Sequence, residues 1–242
     1  MTRIPTLSAL VVAVVMTLSG CGIASQAVSA ANSAASSVAA AADVPSAQTL
    51  WTSAKKSMAA ATSAHLKGTV TTAASSVDME IAGSRDGTNS KMISTTNGAT
   101  GEVITLGDVQ YIKGNAAFWK ASGGTDALVA KIGSMYVKAP TDKATGAKSI
   151  GEEIDAMAGA TFNVVDMFTF SVEKADLGGT ATYLMSKSKA GTYDLKIWIA
   201  ADGTGNLLRV QQTGSDSIDF TFSEWNAVAP WTAPPTDQVF QP

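Results

Sequence analysis

The feature that most constrains this chain is a repeated alternation of apolar and polar residues with a period of two, broken at short intervals by glycine-containing turns. Leu66 and Val70 alternate with Lys67 and Thr69, and Val77, Met79 and Ile81 with Asp78 and Glu80. Phe168, Phe170 and Val172 alternate with Thr169, Ser171 and Glu173, Leu208 and Val210 with Arg209 and Gln211, and Ile218, Phe220 and Phe222 with Asp219, Thr221 and Ser223. Successive side chains of a strand point to opposite faces, so each run has one dry face and one wet face. That is the mark of an antiparallel sheet. Turn signals at Arg85-Asp86-Gly87, Leu106-Gly107-Asp108, Asp176-Leu177-Gly178-Gly179 and Asp202-Gly203-Thr204-Gly205 separate the runs. The strands follow one another too closely for the crossovers that parallel strands need, so an up-and-down meander is expected.

Helices frame this sheet. Ser46 is placed to cap a helix in which Leu50, Ala54, Met58 and Ala61 recur at helical spacing, ending near Thr62 to Ala64. Two helical pieces are expected inside the run of strands. One spans about Thr125 to Ile132; the other opens on the capping box Ser149-Ile150-Gly151-Glu152, with Ile150, Ile154 and Met157 on one face. The fold class is therefore α+β, with helices gathered on one face of a large curved antiparallel sheet. The Pro-rich tail around Trp231 to Pro235 is expected to run extended along the domain's edge.

The first 45 residues have a different character. Arg3 precedes a twelve-residue apolar run, Leu7 to Leu18, which is too short for the roughly 20 residues of a bilayer span and suits the core of a signal peptide. The tetrad Leu18-Ser19-Gly20-Cys21 follows and resembles the bacterial lipobox, which implies lipid on the Cys21 sulfur and cleavage just before it. Residues 1–20 are thus read as a lipoprotein signal peptide. Residues 21–45 are read as the lipidated Cys followed by an Ala/Ser-rich tether, too poor in large apolar side chains to fold on its own. As a coil, residues 22–44 would span about 25–29 Å. Residues 46–242 form one domain.

Charge and motif content narrow the function. With 17 Lys and Arg against 20 Asp and Glu the net charge is -3, and no basic stripe favours a nucleic acid partner. The chain holds one His and one Cys, too few nitrogen and sulfur ligands for an ordinary zinc site. No H-E-x-x-H or G-x-S-x-G occurs. Ser53-Ala54-Lys55-Lys56 matches S-x-x-K in an Ala-rich helix without its companion motifs, and Gly203-Thr204-Gly205 reads as a hairpin turn. Glu152, Glu153 and Asp155 fit the positive end of a helix dipole, and His65 reads as a surface or capping residue. No enzyme activity, cofactor or metal is expected.

Several segments together resemble the LppX/LprG-type lipoproteins of actinobacteria. They are the lipobox, the Ala/Ser tether, Ser63-Ala64-His65-Leu66-Lys67-Gly68, Val109-Gln110-Tyr111-Ile112-Lys113-Gly114, Ala117-Phe118-Trp119 and Met135-Tyr136-Val137-Lys138-Ala139-Pro140. Ile197-Trp198-Ile199, Leu207-Leu208-Arg209-Val210 and the run from Phe220 to Asn226 join them. The resemblance implies a LolA-like, half-open antiparallel barrel with helices packed on its concave face. It also implies that the chain binds or carries a lipid or glycolipid in an apolar cleft, anchored by Cys21 to the outer face of the cell membrane. The residues assigned to that cleft are Met79, Ile81, Ile104, Leu106, Phe168, Phe170, Ile197, Ile199, Phe220 and Phe222. The alternative is an envelope interaction or sensing module of the same fold in which these residues are ordinary core.

Overall fold

The computed structural model describes residues 44–141, 149–160, 169–189 and 193–241. The signal peptide, Cys21, the lipobox residues Leu18, Ser19 and Gly20, most of the tether and Phe168 lie outside them.

Helix α1 (Ala47–Ala60) begins where the Ser46 hydroxyl accepts the Thr49 amide at 3.2 Å. It buries Ala47, Leu50, Trp51, Ala54 and Met58, one stripe at the helical period. It ends two residues before the expected range, because Ala61 already turns into extended backbone and leads directly into β1 (Ser63–Thr71).

The strands that follow are β2 (Ser76–Ser84), β3 (Asn89–Thr96), β4 (Ala99–Leu106), β5 (Val109–Gly114) and β6 (Val137–Pro140). After α4 (Ile150–Ala160) come β7 (Ser171–Leu177), β8 (Thr180–Lys189), β9 (Tyr193–Ala200), β10 (Leu207–Gly214) and β11 (Ser217–Ser223). All eleven join one antiparallel sheet in the order β6-β5-β4-β3-β2-β1-β11-β10-β9-β8-β7.

This corrects the plain meander. Such a path would leave β1 and β11 as edges. Instead the chain walks from β1 outward to β6, crosses by way of α4 to the opposite edge, and walks back from β7 to β11. There β11 pairs with β1, Leu66 facing Phe222 and Gly68 facing Phe220. The sheet is open, its edges being β6 and β7.

Among the described residues three helices, not two, lie between β5 and β7. The extra one is α2 (Ala116–Ala121), capped by Asn115, whose Oδ1 accepts the Phe118 amide at 2.9 Å. Its reason is packing. Gly101 and Gly114 face each other across β4 and β5, and the Phe118 ring fills the space above both. Helix α3 (Asp126–Ile132) fills the expected segment, and Thr125 caps it, its hydroxyl accepting the Leu128 amide at 3.3 Å. The capping box of α4 forms in both directions: the Glu152 amide donates to the Ser149 hydroxyl at 3.1 Å, and the Ser149 amide to the Glu152 carboxylate at 2.7 Å.

A second correction concerns β10. The pairing with β9 shifts register between Leu207 and Arg209. A bulge inserts one residue and changes which side chain points inward. Leu207 is thereby fully buried, and Leu208 sits half-buried at the irregularity.

The tail crosses the sheet face opposite α1 and α4. The Trp231 indole donates to the Ala82 carbonyl at 3.0 Å, and the Trp231 backbone exchanges two hydrogen bonds with the Asn89 side chain. Further on, Val239 forms a parallel bridge with Tyr136 beside β6. The Tyr136 hydroxyl donates to Glu102 at 2.6 Å, and burial, then Glu102, push its pKa up to about 12.

Gly68 is the tightest point of the central pairing, because a Cβ there would strike the Asp219 carbonyl and the Phe220 ring. Gly68→Ala is expected to destabilise the domain by about 1–3 kcal/mol, read as a lowered urea midpoint at unchanged slope. An unchanged midpoint would show that β1 and β11 do not approach this closely.

Candidate functional site

The register lays the inner face out as rows of directly opposed residues. One row runs Val172, Met185, Ile197, Val210, Phe220, Gly68, Met79, Ser94, Gly101, Gly114 across ten strands. The next runs Phe222, Leu66, Ile81, Met92, Val103, Ile112, Val137. These rows are largely dry. The third is Ala64, Gly83, Ser90, Thr105, Gln110, Ala139, and its outer half is polar.

The dry rows collect into two clusters. The larger joins α1, α4, β1, β2 and β7 to β11, and holds Leu50, Trp51, Met58, Leu66, Ile81, Ile154, Ile197, Ile199, Phe220 and Phe222. The smaller joins α2 and α3 to β4 and β5 through Trp119, Ile132, Val103 and Ile112. Met92 is half-buried and packs against both.

Beside this junction lies a recess of about 360 Å³. Its apolar floor is Ile81, Met92 and Val103; its polar wall is Ser90, Thr105 and Gln110; its rim is Asp86, Thr88, Thr141 and the start of α4, Ser149 and Glu152. No Lys, Arg or His lines it among the described residues. Local sequence sets the rim. Asp86 accepts the Ser84 hydroxyl at 2.6 Å and both the amide and the hydroxyl of Thr88 at 3.0 and 2.9 Å. These bonds, Ser84's first, hold its pKa below the usual carboxylate value. A Cβ on Gly87 would press on Ser149, so glycine lets this turn touch α4. Arg85 fastens the same turn to both helices, donating to the Met58 carbonyl at 2.7 Å and to Asp155.

Gln110 is 6% exposed. Its amide nitrogen donates to the Thr105 hydroxyl at 3.2 Å, and among the described residues its carbonyl oxygen accepts no hydrogen bond.

Seven of the ten residues assigned to the cleft come together: Ile81, Phe170, Ile197, Ile199, Phe220 and Phe222 in the large cluster, with Met79 against it. Their packing is tight, Ile197 and Ile199 being completely buried. Ile104 and Leu106 are not with them. Ile104 faces Lys91 and Tyr111 on the outer face, because Val103 takes the inward position and side chains alternate. Leu106 is two residues further along the same face. Phe168 is outside the described residues.

Sequence reasoning missed Met92, Val103 and the polar row. One signal was there. In β5, Gln110 shares its face with Ile112 and is a polar residue in an inward position.

The outer face is charged. His65, expected as a surface or capping residue, lies on β1 with Nε2 3.0 Å from Glu80, and Lys67 reaches the other Glu80 oxygen at 3.1 Å. Arg209 grips Asp219 through two bonds of 2.8 and 2.6 Å. Ser53 and the exposed Lys56 lie on α1 away from the recess lining, and Gly203 to Gly205 form the expected hairpin turn.

Comparison with solved structures gives likeness over most of the chain. LprF from Mycobacterium bovis is 18% identical, covering 78% of this chain and 96% of that one, with a TM-score of 0.48. The lipoprotein LppX of Mycobacterium tuberculosis is 18% identical, covering 76% and 96%, with a TM-score of 0.43. A putative outer membrane lipoprotein-sorting protein domain from Vibrio parahaemolyticus is 11% identical, covering 79% and 96%, with a TM-score of 0.21. No family model matches, and no curated protein matches. The chain is thus similar to lipoproteins of the type its sequence motifs resemble. At these identities and scores its function has to be argued from its own residues.

The Arg209 pair gives the fold a pH dependence. The Arg209 hydrogen bonds hold the Asp219 carboxyl below its ordinary value, against a smaller opposing effect of burial. A lowered folded pKa means that the unfolded chain binds the proton first. The stabilisation is therefore complete above the ordinary value of about 3.9 and is lost as pH falls through the folded one. Both groups are partly exposed, so Asp219→Asn should cost only about 0.2–1 kcal/mol at pH 7 and flatten the fall in stability below about pH 4. Parallel curves for variant and parent across that range would refute the pairing.

Proposed function

We propose that this chain is an envelope lipoprotein, held to the outer face of the cell membrane by lipid on Cys21, whose domain binds or carries an amphiphilic lipid on the inner face of its open sheet. The observation that carries this reading is the recess. It opens to water at a polar rim, and its floor of Ile81, Met92 and Val103 leads into the seam between two apolar clusters. An acyl chain entering there would follow Met92, whose unbranched side chain adapts to irregular neighbours. Each methylene moved out of water contributes about 0.8 kcal/mol, so a chain of about 16 carbons supplies on the order of 12 kcal/mol. The recess falls in the usual small-molecule range of about 300–1,000 Å³.

The anchor reading rests on the order basic residue, short apolar run, lipobox and Ala/Ser tether in residues 1–45. Among the described residues no helix is long and apolar enough to cross a membrane. The rim carboxylates are engaged in their own loop, Asp86 with Ser84 and Thr88, Glu152 with Ser149, and we assign them no catalytic step.

One observation favours a second reading, an interaction or sensing module that holds no lipid: the larger cluster is filled by its own side chains.

Two measurements test the proposal. Metabolic labelling with a clickable fatty acid should tag the protein and leave Cys21→Ser untagged; an untagged parent refutes the anchor. Native mass spectrometry of protein purified from membranes should show about one bound lipid per chain, in addition to the covalent anchor. Reproducibly bare protein would decide for the second reading.

A further inference from the structure

The β3–β4 hairpin closes on Asn97-Gly98, with Thr96 paired to Ala99 across a two-residue turn. Asn97 has φ 50° and Gly98 φ 79°. Two positive φ values make a type I′ turn, for which Asn-Gly is the favoured sequence. Of the seven asparagines in the chain, Asn97 alone precedes a glycine. It is exposed, and among the described residues its side chain makes no hydrogen bond. The position a Cβ would take on Gly98 meets nothing within 4 Å beyond the chain neighbours, so the Gly98 amide has no shield. The other described asparagines are held: Asn89 by Trp231, Asn115 by Gly98, Asn206 by Ser57 and Asn226 by Thr62. So are both Asp-Gly turns. Asp86 accepts from Ser84 and Thr88, and Asp202 accepts the Thr204 amide and hydroxyl at 2.9 and 2.6 Å.

We propose that Asn97 is a modification site: it deamidates through a cyclic imide to aspartate or isoaspartate at the hairpin tip, and Asn115 sets the rate. Asparagine is among the chemically labile residues, and a following glycine leaves its Cγ open to the next backbone nitrogen. The Gly98 nitrogen, losing its proton to hydroxide, attacks Cγ of Asn97. The N–Cγ bond forms, the Cγ–Nδ2 bond breaks, and Nδ2 leaves as ammonia with a proton taken from water. Water then opens the five-membered ring. Cleavage at Cγ gives aspartate; cleavage at the main-chain carbonyl carbon of Asn97 gives isoaspartate, whose chain runs through Cγ. Over both steps one water enters and one ammonia leaves, with no oxidation or reduction. Ring closure needs the Gly98 nitrogen to swing out of the turn toward Cγ. Asn115 resists that swing. Its Nδ2 donates to the Gly98 carbonyl at 2.7 Å, while its Oδ1 accepts the Thr100 and Phe118 amides at 3.2 and 2.9 Å. The same bonds pin the hairpin tip to the start of α2. Isoaspartate adds a backbone carbon to a turn built for two residues and carries the Gly98 carbonyl off Asn115. Helix α2 then loses its tie to the hairpin, and Phe118 its fixed seat over Gly101 and Gly114. None of this chemistry depends on a bound lipid.

The test holds protein purified from membranes at mildly alkaline pH in water enriched in the heavy oxygen isotope, then digests it with trypsin in ordinary water. Cleavage after Lys91 and Lys113 frees residues 92–113. This peptide should yield two products, each with a carboxyl in place of the Asn97 amide and one heavy oxygen, separable by fragmentation into aspartate and isoaspartate forms. Peptides holding the other described asparagines should keep their mass over the same period. Asn115→Asp keeps the acceptor for Thr100 and Phe118, in a residue that caps helices well, and removes only the donor to Gly98. It should raise the rate roughly fivefold, the worth of one hydrogen bond. Asn97→Gly, which suits a positive φ, should leave residues 92–113 at their starting mass. Hydrogen exchange reads the consequence: the amides of residues 116–121 should lose protection in the aged parent and keep it in Asn97→Gly held for the same time. An Asn97 that keeps its amide in the folded protein, while the urea-unfolded protein loses it in parallel, overturns the site. Equal rates in parent and Asn115→Asp overturn the control by Asn115. Unchanged exchange in parent protein shown to carry isoaspartate overturns the unpinning of α2.

Discussion

Strand β1 is made early and its partner β11 last, and the open sheet exists as one surface because the two find each other. Pairing Leu66 with Phe222 and Gly68 with Phe220 closes a loop containing most of the domain. The entropy of such closure grows only slowly with length, but it must be met before the contacts reward it, which makes a topology of this kind slow to form. The reward is a dense seam. Phe220 lies over Gly68 at the distance of direct contact, and Leu66 and Phe222 are both in the large cluster. Without this seam there would be two separate meanders, and the dry row that crosses from β7 to β5 would be cut in the middle.

With the seam in place, the helices divide the inner face unequally. α1 and α4 cover the part built around β1, and α2 and α3 cover the part built on β4 and β5. Arg85 ties the β2–β3 turn to both α1 and α4, so the edge of the larger cluster is fixed at the same turn that makes the rim of the recess. The strip that the described helices leave between the clusters adjoins the polar row. A single strip thus combines hydrocarbon on one side with amide and hydroxyl groups on the other, which is the contrast an amphiphile matches.

The opposite face is handled by charge and by the tail. Cross-strand pairs such as Arg209 with Asp219 and Lys67 with Glu80 occupy it. Trp231 seals against Ala82 and Asn89. At the far end Val239 pairs with Tyr136 beside the β6 edge, where unsatisfied backbone groups would otherwise invite pairing with another chain. The tail therefore runs across strands rather than only along an edge, because Trp231 brings an indole donor and an Asn-matched backbone to a face that already offers both partners.

By itself the sequence determined local and periodic features: the strand faces of Leu66, Ile81, Phe220 and Phe222, the hairpin turns, and the Ser46 and Ser149 caps. Each of these depends on neighbours a few residues away, where period and capping chemistry act. Only the tertiary structure decided the rest. That β11 pairs with β1, that α2 exists to set Phe118 over Gly101 and Gly114, and that a bulge turns Leu207 rather than Leu208 inward all depend on partners distant in the chain. The same holds for the site. Alternation alone could not say that Val103, and not Ile104, points inward, because β4 is apolar at both positions. Nor could it say that Gln110 would meet Ser90 and Thr105 beside Met92, since a row across a sheet is set by register between strands, and register is a property of the assembled surface.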